Sequence, residues 1–208
     1  MKKTKTSGIL TGFVLLFFTI HVNAMQGLND LLESFDNYQA DFAQETRDQD
    51  GRVVQKMTGV IVLQKPDHFY WESDEPFAQK LIGNGQMIWH FDKDLEQVVV
   101  QQYSDQREQT PMLLMLEDSE RLAQAFEVLE KAQKPQDEVH FRLRALDDST
   151  GLRYLNIYFA DGLLAGLHFV DQLDQATEVT FSNRRINLSI EASLFTFAIP
   201  EGVDVVYE

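Results

Sequence analysis

A run of short apolar segments separated by turns, at residues 59–97, decides the fold of this chain. Residues 59–72 read G-V-I-V-L-Q-K-P-D-H-F-Y-W-E, residues 76–92 read P-F-A-Q-K-L-I-G-N-G-Q-M-I-W-H-F-D, and residues 94–100 read D-L-E-Q-V-V-V. Proline cannot extend a central strand and Asn-Gly favours a two-residue hairpin, so Pro66 and the Asn84-Gly85 pair predict turns. Both tryptophans, Trp71 and Trp89, lie in this stretch. It therefore predicts an antiparallel meander with an aromatic surface.

The faces of these strands follow from the alternation of their side chains. Phe69 and Trp71 share one face of their strand. A second set of large apolar residues shares a face two strands later: Met87, Trp89 and Phe91. Residues 60–63 are apolar on both faces, which is typical of a strand that is covered on two sides. We interpret the aromatic residues as one wall that holds something apolar.

The last third of the chain repeats the pattern of strands and turns. Apolar residues alternate with polar or tyrosine residues in two further segments: Val139, Phe141 and Leu143; Leu155, Ile157 and Phe159. Leu163, Ala165, Leu167 and Phe169 are expected to form the inner face of the next strand. Residues 147–151 and the Asp161-Gly162 pair supply turns between them. About ten or eleven short strands with few helices are typical of a strongly curved sheet or a barrel.

One amphipathic helix is predicted near the start of the chain, over residues 28–38, and the alternation of Tyr38, Ala40 and Phe42 predicts that a strand begins at its end. Its apolar residues follow helical spacing, and Asn29 and Asp30 are candidates for the N-terminal cap. Because one face of this helix is strongly apolar, we expect it to lie against the sheet.

Two further helical segments are predicted in the middle of the chain. Thr110 can cap a helix and Pro111 suits a first turn, so residues 110–118 predict a short helix that is apolar on every side. Such a helix must be buried or must plug a cavity. Residues 119–133 favour a helix by propensity alone.

The first 24 residues predict a secretory signal peptide rather than a membrane anchor. They combine a basic start, an apolar run of 12 residues at 9–20 and a Val-Asn-Ala signal-peptidase cleavage site at 22–24. That run is shorter than the roughly 20 residues that a membrane-spanning helix needs. We expect residues 25–208 to form a single exported domain in the periplasm.

The charge of the chain excludes some classes of partner. It carries 18 Lys and Arg against 33 Asp and Glu, a formal charge of −15. Removal of residues 1–24 takes away three lysines and no acid, which leaves −18. Such a protein is repelled by nucleic acid, so we expect no nucleic-acid partner. Cysteine is absent, which excludes disulfides and a lipid-modified cysteine.

The sequence carries no pattern that predicts an enzyme, a cofactor or a metal site. It has no paired histidines, nucleophile elbow or phosphate-binding loop. Four histidines stand singly on strands, where we expect them to face solvent or an edge: His68, His90, His140 and His168. On the residues alone, the aromatic interior is either a packed core or a site for acyl chains, and both interpretations stay open.

Four segments resemble the periplasmic outer-membrane lipoprotein carrier family, LolA: residues 63–71, 76–98, 110–114 (T-P-M-L-L) and 195–205 (F-T-F-A-I-P-E-G-V-D-V). The resemblance implies a mainly β fold with short helices, namely an incomplete, unclosed antiparallel β-barrel of about eleven strands with an α-helical lid over an apolar cavity. It also implies a strand near residues 125–131. The related receptor LolB is itself a lipoprotein, and the missing cysteine argues against it.

The function that the resemblance implies is that of a monomeric periplasmic chaperone. It would take lipoproteins from an inner-membrane ABC transporter and pass them to the outer-membrane receptor LolB, with no cofactor. The alternative is a generic periplasmic β-protein, a scaffold or a module for apolar ligands, whose interior is merely packed. The two differ in whether the interior can admit acyl chains.

The resemblance also suggests roles for particular residues. Lys65 stands where many members carry an arginine that latches the lid to the barrel, and Phe69 matches a position implicated in directional transfer. The candidate cavity and lid residues are Leu28, Leu31, Leu32, Phe35, Phe69, Trp71, Leu81, Met87, Trp89, Phe91, Met112, Leu113, Leu114, Met115, Leu116, Leu155, Ile157, Leu167 and Phe169.

Overall fold

The computed structural model describes residues 17–106, 113–117, 119–134 and 137–208. Within them, twelve strands form one sheet: β1 (Asn37–Arg47), β2 (Val53–Gln64), β3 (His68–Ser73), β4 (Gln79–Asn84), β5 (Met87–Asp92), β6 (Gln97–Gln102), β7 (Phe126–Lys134), β8 (Glu138–Ala145), β9 (Leu152–Ala160), β10 (Leu163–Asp171), β11 (Ala176–Ile186) and β12 (Asp204–Tyr207). The helices are α1 (Phe17–Leu32), α2 (Tyr103–Gln106) and α3 (Ser119–Ala125), with 3-10 helices at Leu113–Met115 and Ala192–Phe195.

The sheet is open, with β12 at one edge and β7 at the other, in the order β12-β6-β5-β4-β3-β2-β1-β11-β10-β9-β8-β7. Neighbouring strands are antiparallel except β12, which runs parallel to β6. This confirms the mainly β, unclosed fold with helices. The parallel strand at the C-terminus is additional to the eleven antiparallel strands that were expected.

The strand register identifies the concave face of the sheet. Residues directly opposite each other on paired strands point to the same side. Phe69 pairs with Gly83, and Gly83 pairs with Ile88. Phe69 and Ile88 both belong to the main core, together with apolar side chains of α1, α3 and the 3-10 helix at Leu113–Met115. These helices therefore lie over the concave face.

A second group of buried apolar residues lies outside that main core. On the outer face of the sheet, Val62, Ile82, Val98 and Val100 are buried. The buried Phe195 belongs to the 3-10 helix that contacts β3 and β4. The C-terminal segment thus covers the outside of β3–β6, and the expectation that residues 60–63 are covered on two sides is confirmed at Ile61 and Val62.

Helix α1 differs from its prediction at both ends. It already includes Phe17 and ends at Leu32, so Asn29 and Asp30 lie within it instead of capping it. Tyr38 belongs to β1, which pairs with β2 and β11 on either side, so the predicted start of a strand at this residue is confirmed. Among the described residues, no helix is both long enough and apolar enough to cross a bilayer.

The segment that follows the 3-10 helix at Leu113–Met115 also differs from the helix that its residue propensities predict. Residues 119–133 were predicted to be helical, but α3 ends at Ala125 and β7 begins at Phe126. The edge of β8 offers this segment a hydrogen-bonding partner, and tertiary pairing overrides a weak helical preference. The strand near residues 125–131 is therefore confirmed. Thr110 and Pro111 lie outside the described residues.

Candidate functional site

An apolar cavity of about 220 Å³ lies on the concave face. Strands β2, β3 and β4 supply most of its wall, since Leu63 pairs with Phe69, Ile61 pairs with Trp71, and Trp71 pairs with Leu81. Across the sheet the wall is completed by Gln44, Phe169 and Val179, with further lining from Met57, Tyr70 and Leu113. The indole of Trp71 stacks on the ring of Phe42, with ring centroids 3.7 Å apart.

The cavity is closed at one end and open at the other. Leu63 and Phe69, near the turn between β2 and β3, are 1% and 3% exposed. Met57, Trp71 and Phe169, further toward the β1–β2 hairpin, are only partly buried. The cavity therefore opens toward the end of the sheet that carries this hairpin.

The helices close the other end of the concave face. Leu113 lines the cavity and is fully buried, as are Leu114 and Met115 beside it. From α1, Leu28 and Leu32 are buried in the same core. The predicted plug of residues 112–116 thus lies in the interior at its described positions, 113–116, and Met112 lies outside the described residues.

Lys65 links the sheet to the end of α1. Its Nζ donates a hydrogen bond of 2.7 Å to the carbonyl oxygen of Leu32 and lies 5.1 Å from the centroid of the Phe35 ring. Partial burial lowers the pKa of Lys65 below the ordinary lysine value, while the nearby carboxylates of Glu33 and Asp36 act in the opposite direction. The side chain thereby joins the turn between β2 and β3 to the C-terminal end of α1.

The structure brings most of the predicted residues together but divides them into two groups. Phe69, Trp71, Leu81, Leu113 and Phe169 line the cavity itself. The others pack in the surrounding core: Leu28, Leu31, Leu32, Phe35, Leu114, Met115, Leu116, Leu155, Ile157 and Leu167. The interior is therefore packed beside β8 and β9, and the cavity lies mainly beside β2–β4.

Three predicted residues lie elsewhere. Met87, Trp89 and Phe91 alternate with Ile88, which faces the core, so they lie on the outer face of β5. Phe91 packs there against Phe197 of the C-terminal segment, with centroids 5.5 Å apart. The expectation that these three form the cavity wall is wrong, because the apolar side of β5 is the side that the C-terminal segment covers.

Sequence reasoning also missed part of the wall. Gln44, Met57, Ile61, Leu63 and Val179 line the cavity although none was a candidate. A signal was present for two of them, because a tight turn after residue 64 places Leu63 opposite Phe69 and Ile61 opposite Trp71. Met57 shares the face of Ile61 by alternation along β2. Gln44 and Val179 are brought together by the pairing of β1 with β11, which joins positions more than 130 residues apart.

Comparisons with known proteins identify the family that the chain is similar to. A family model described as "Outer membrane lipoprotein carrier protein LolA" matches residues 33–198. Outer-membrane lipoprotein carrier proteins are similar over most of the chain: that of Hahella chejuensis is 32% identical over 184 residues, 88% of each chain. That of Pseudomonas paraeruginosa is 34% identical over 185 residues, 89% of this chain and 88% of the other.

Solved structures share the fold at much lower sequence identity. A conserved protein from Thermus thermophilus has a TM-score of 0.54 at 13% identity, covering 88% of this chain and 98% of its own. A DUF1329 family protein from Desulfovibrio piger has a TM-score of 0.50 at 9% identity, covering 83% and 94%. At such identities these likenesses concern the fold alone.

Proposed function

Because this chain belongs to the LolA family of outer-membrane lipoprotein carriers, we propose that it shelters the acyl chains of lipoproteins and carries them across the periplasm to the outer membrane. The observation that carries the proposal is the half-open apolar cavity beneath a buried helical plug. Each methylene group withdrawn from water contributes about 0.8 kcal/mol, so acyl chains need such a shelter to cross an aqueous compartment.

In this proposal α1 and the 3-10 helix at Leu113–Met115 form a lid that moves when cargo enters. The cavity of about 220 Å³ is smaller than the roughly 300–1,000 Å³ of ordinary small-molecule sites. Leu113 occupies its inner wall, and Lys65 holds the end of α1 against the barrel. Displacement of the 3-10 helix and release of α1 would extend the cavity into the core, and the energy for this comes from the binding partner.

The cellular route is part of the same proposal. Residues 1–24 direct export, and residues 25–208 act in the periplasm as a monomer. The chain takes its cargo from an inner-membrane ABC transporter and delivers it to the outer-membrane receptor LolB. The membership of a carrier family supports a transport role in preference to catalysis.

The test is cargo release from membranes. Purified residues 25–208 are incubated with inner-membrane vesicles that contain a lipoprotein and the transporter, with and without ATP. The expected result is a soluble one-to-one complex of chain and lipoprotein that forms only with ATP. If the lipoprotein stays in the membrane fraction, the carrier function fails and the packed β-protein is the better interpretation.

A further inference from the structure

Beside the apolar cavity, the concave face carries a polar shelf made of Gln79, His90, Asp92 and Gln97. His90 pairs with Leu81, which lines the cavity, so the imidazole lies on the same face one strand further along the sheet. Asp92 pairs with Gln79 on one side and with Gln97 on the other, which brings all three to that face. The four side chains are partly buried, and the strand ends that hold them belong to the open end of the cavity. His90 was expected to face solvent or an edge, but it lies partly buried on the concave face.

Hydrogen bonds fix the orientation of the shelf. The backbone N–H groups of Asp94 and Leu95 donate to Asp92 Oδ1 at 3.0 Å. Gln79 Nε2 donates to Asp92 Oδ2 at 2.8 Å, and His90 Nε2 donates to Gln79 Oε1 at 3.4 Å. The carboxylate is therefore engaged on both oxygens. In the neutral imidazole the other nitrogen, Nδ1, is then a hydrogen-bond acceptor.

The shelf is polar but carries no cation. The concave positions of β4, β5 and β6, all of which the structure describes, are Gln79, Leu81, Gly83, Ile88, His90, Asp92, Gln97, Val99 and Gln101. Lys80 points to the outer face, where its Nζ lies 3.0 Å from the Glu72 carboxylate. Phosphate groups are bound most strongly by arginine, lysine or backbone N–H clusters. The shelf offers a phospholipid headgroup no lysine or arginine.

We propose that the polar shelf binds the peptide amides next to the acylated N-terminus of a lipopeptide whose acyl chains fill the cavity. This inference rests on the carrier function proposed above. A peptide at the mouth of an apolar cavity carries backbone N–H and C=O groups that need hydrogen-bond partners there. Imidazole and carboxamide groups beside Leu81 supply acceptors and donors for them. The shelf thereby selects an acylated peptide over a phospholipid with the same acyl chains.

The experiment measures three ligands: palmitate, dipalmitoyl phosphatidylglycerol and a synthetic dipalmitoylated lipopeptide, so that the phospholipid and the lipopeptide carry the same number of palmitoyl chains. All variants carry Trp89→Phe, so that the fluorescence of Trp71 in the cavity reports binding. His90→Leu removes the imidazole. His168→Leu is the matched control, because His168 is also partly buried but alternates with the buried Leu167 and lies on the outer face.

The parent protein is expected to bind the lipopeptide more tightly than the phospholipid. His90→Leu is expected to weaken lipopeptide binding about three- to tenfold, the loss of one hydrogen bond, and to leave palmitate binding unchanged. His90→Gln, which keeps a donor and an acceptor, is expected to restore most of the affinity. His168→Leu is expected to change none of the three.

Three results would overturn the inference while leaving the carrier function standing. They are equal binding of lipopeptide and phospholipid by the parent, an unchanged lipopeptide affinity in His90→Leu, and an equal loss for palmitate and lipopeptide. A Gln97→Leu variant repeats the test if His90→Leu does not fold. A parent that binds neither palmitate nor lipopeptide would instead overturn the carrier function itself.

Discussion

The ammonium nitrogen of Lys65 lies 2.7 Å from the carbonyl oxygen of Leu32, the last residue of α1. The last carbonyl groups of a helix lack partners within the helix and carry partial negative charge. A single donor satisfies this carbonyl, so the site does not need the planar fork of an arginine. One side chain in the turn between β2 and β3 thereby ties the lid helix to the barrel.

Lys65→Met is expected to loosen α1 without unfolding the sheet. The lost interaction is a charge-assisted hydrogen bond at a partly exposed site, which is worth about 1 kcal/mol. The free energy of unfolding in urea should fall by that amount, and amide hydrogen exchange should accelerate in α1. Lys65→Arg should keep most of the protection.

Lys80→Met is the matched control for this prediction. It removes a lysine of the neighbouring β4 whose partner, Glu72, lies on the outer face. A surface pair of this kind contributes little, so exchange in α1 should not change. If amide exchange in α1 accelerates equally in both variants, the cause is the loss of a positive charge and not the loss of the hydrogen bond from Lys65 to the helix.

The two tryptophans are expected to respond differently to an acyl ligand. Trp71 lines the cavity, while Trp89 lies on the outer face of β5. A brominated fatty acid quenches indole fluorescence at contact, so it should quench Trp89→Phe, which retains Trp71, and spare Trp71→Phe. Quenching confined to Trp89 would place the ligand on the wrong side of the sheet.

The positions of Trp71 and Trp89 on opposite faces of the sheet show how much of the site the sequence alone can predict. Alternation correctly groups Met87, Trp89 and Phe91 on one face, and turn residues correctly mark most hairpins. Alternation alone does not say which face is concave, because both faces of β5 carry packed apolar side chains: Ile88 packs in the main core, and Phe91 packs against Phe197, about 100 residues later. The aromatic side was therefore assigned to the cavity, and the polar side, with His90, was overlooked.

Gly83 and Gly27 are expected to respond oppositely to substitution by alanine. A Cβ at Gly83 would overlap the ring of Phe69, which is packed in the core. A Cβ at Gly27 would lie 2.6 Å from Lys131 Nζ, the end of a flexible, exposed side chain that can move aside. Gly83→Ala should lower the free energy of unfolding by about 1–3 kcal/mol.

Gly27→Ala, by contrast, should leave stability unchanged or raise it by up to about 1 kcal/mol, because alanine favours the helix. Urea unfolding measures both effects. In a double-mutant cycle, Phe69→Leu should cost less in the Gly83→Ala background than in the parent, since the clash is already relieved. Additive effects would contradict the contact between Gly83 and Phe69.

The free energy of unfolding at acidic pH should depend on the carboxyl group of Asp92. Hydrogen bonds from the backbone N–H of Leu95, from Gln79 and from the backbone N–H of Asp94 hold the pKa of this carboxyl below the ordinary aspartate value. A lowered pKa in the folded state stabilises the fold above the unfolded-state pKa of about 3.9, and this contribution is lost as pH falls through the folded-state pKa. The parent should therefore be more stable than Asp92→Asn at pH 6, and the two should converge toward pH 3 in urea unfolding. Asp94→Asn, on the same hairpin and exposed, is the control, and a difference between parent and Asp92→Asn that persists at low pH would exclude the carboxylate as its cause.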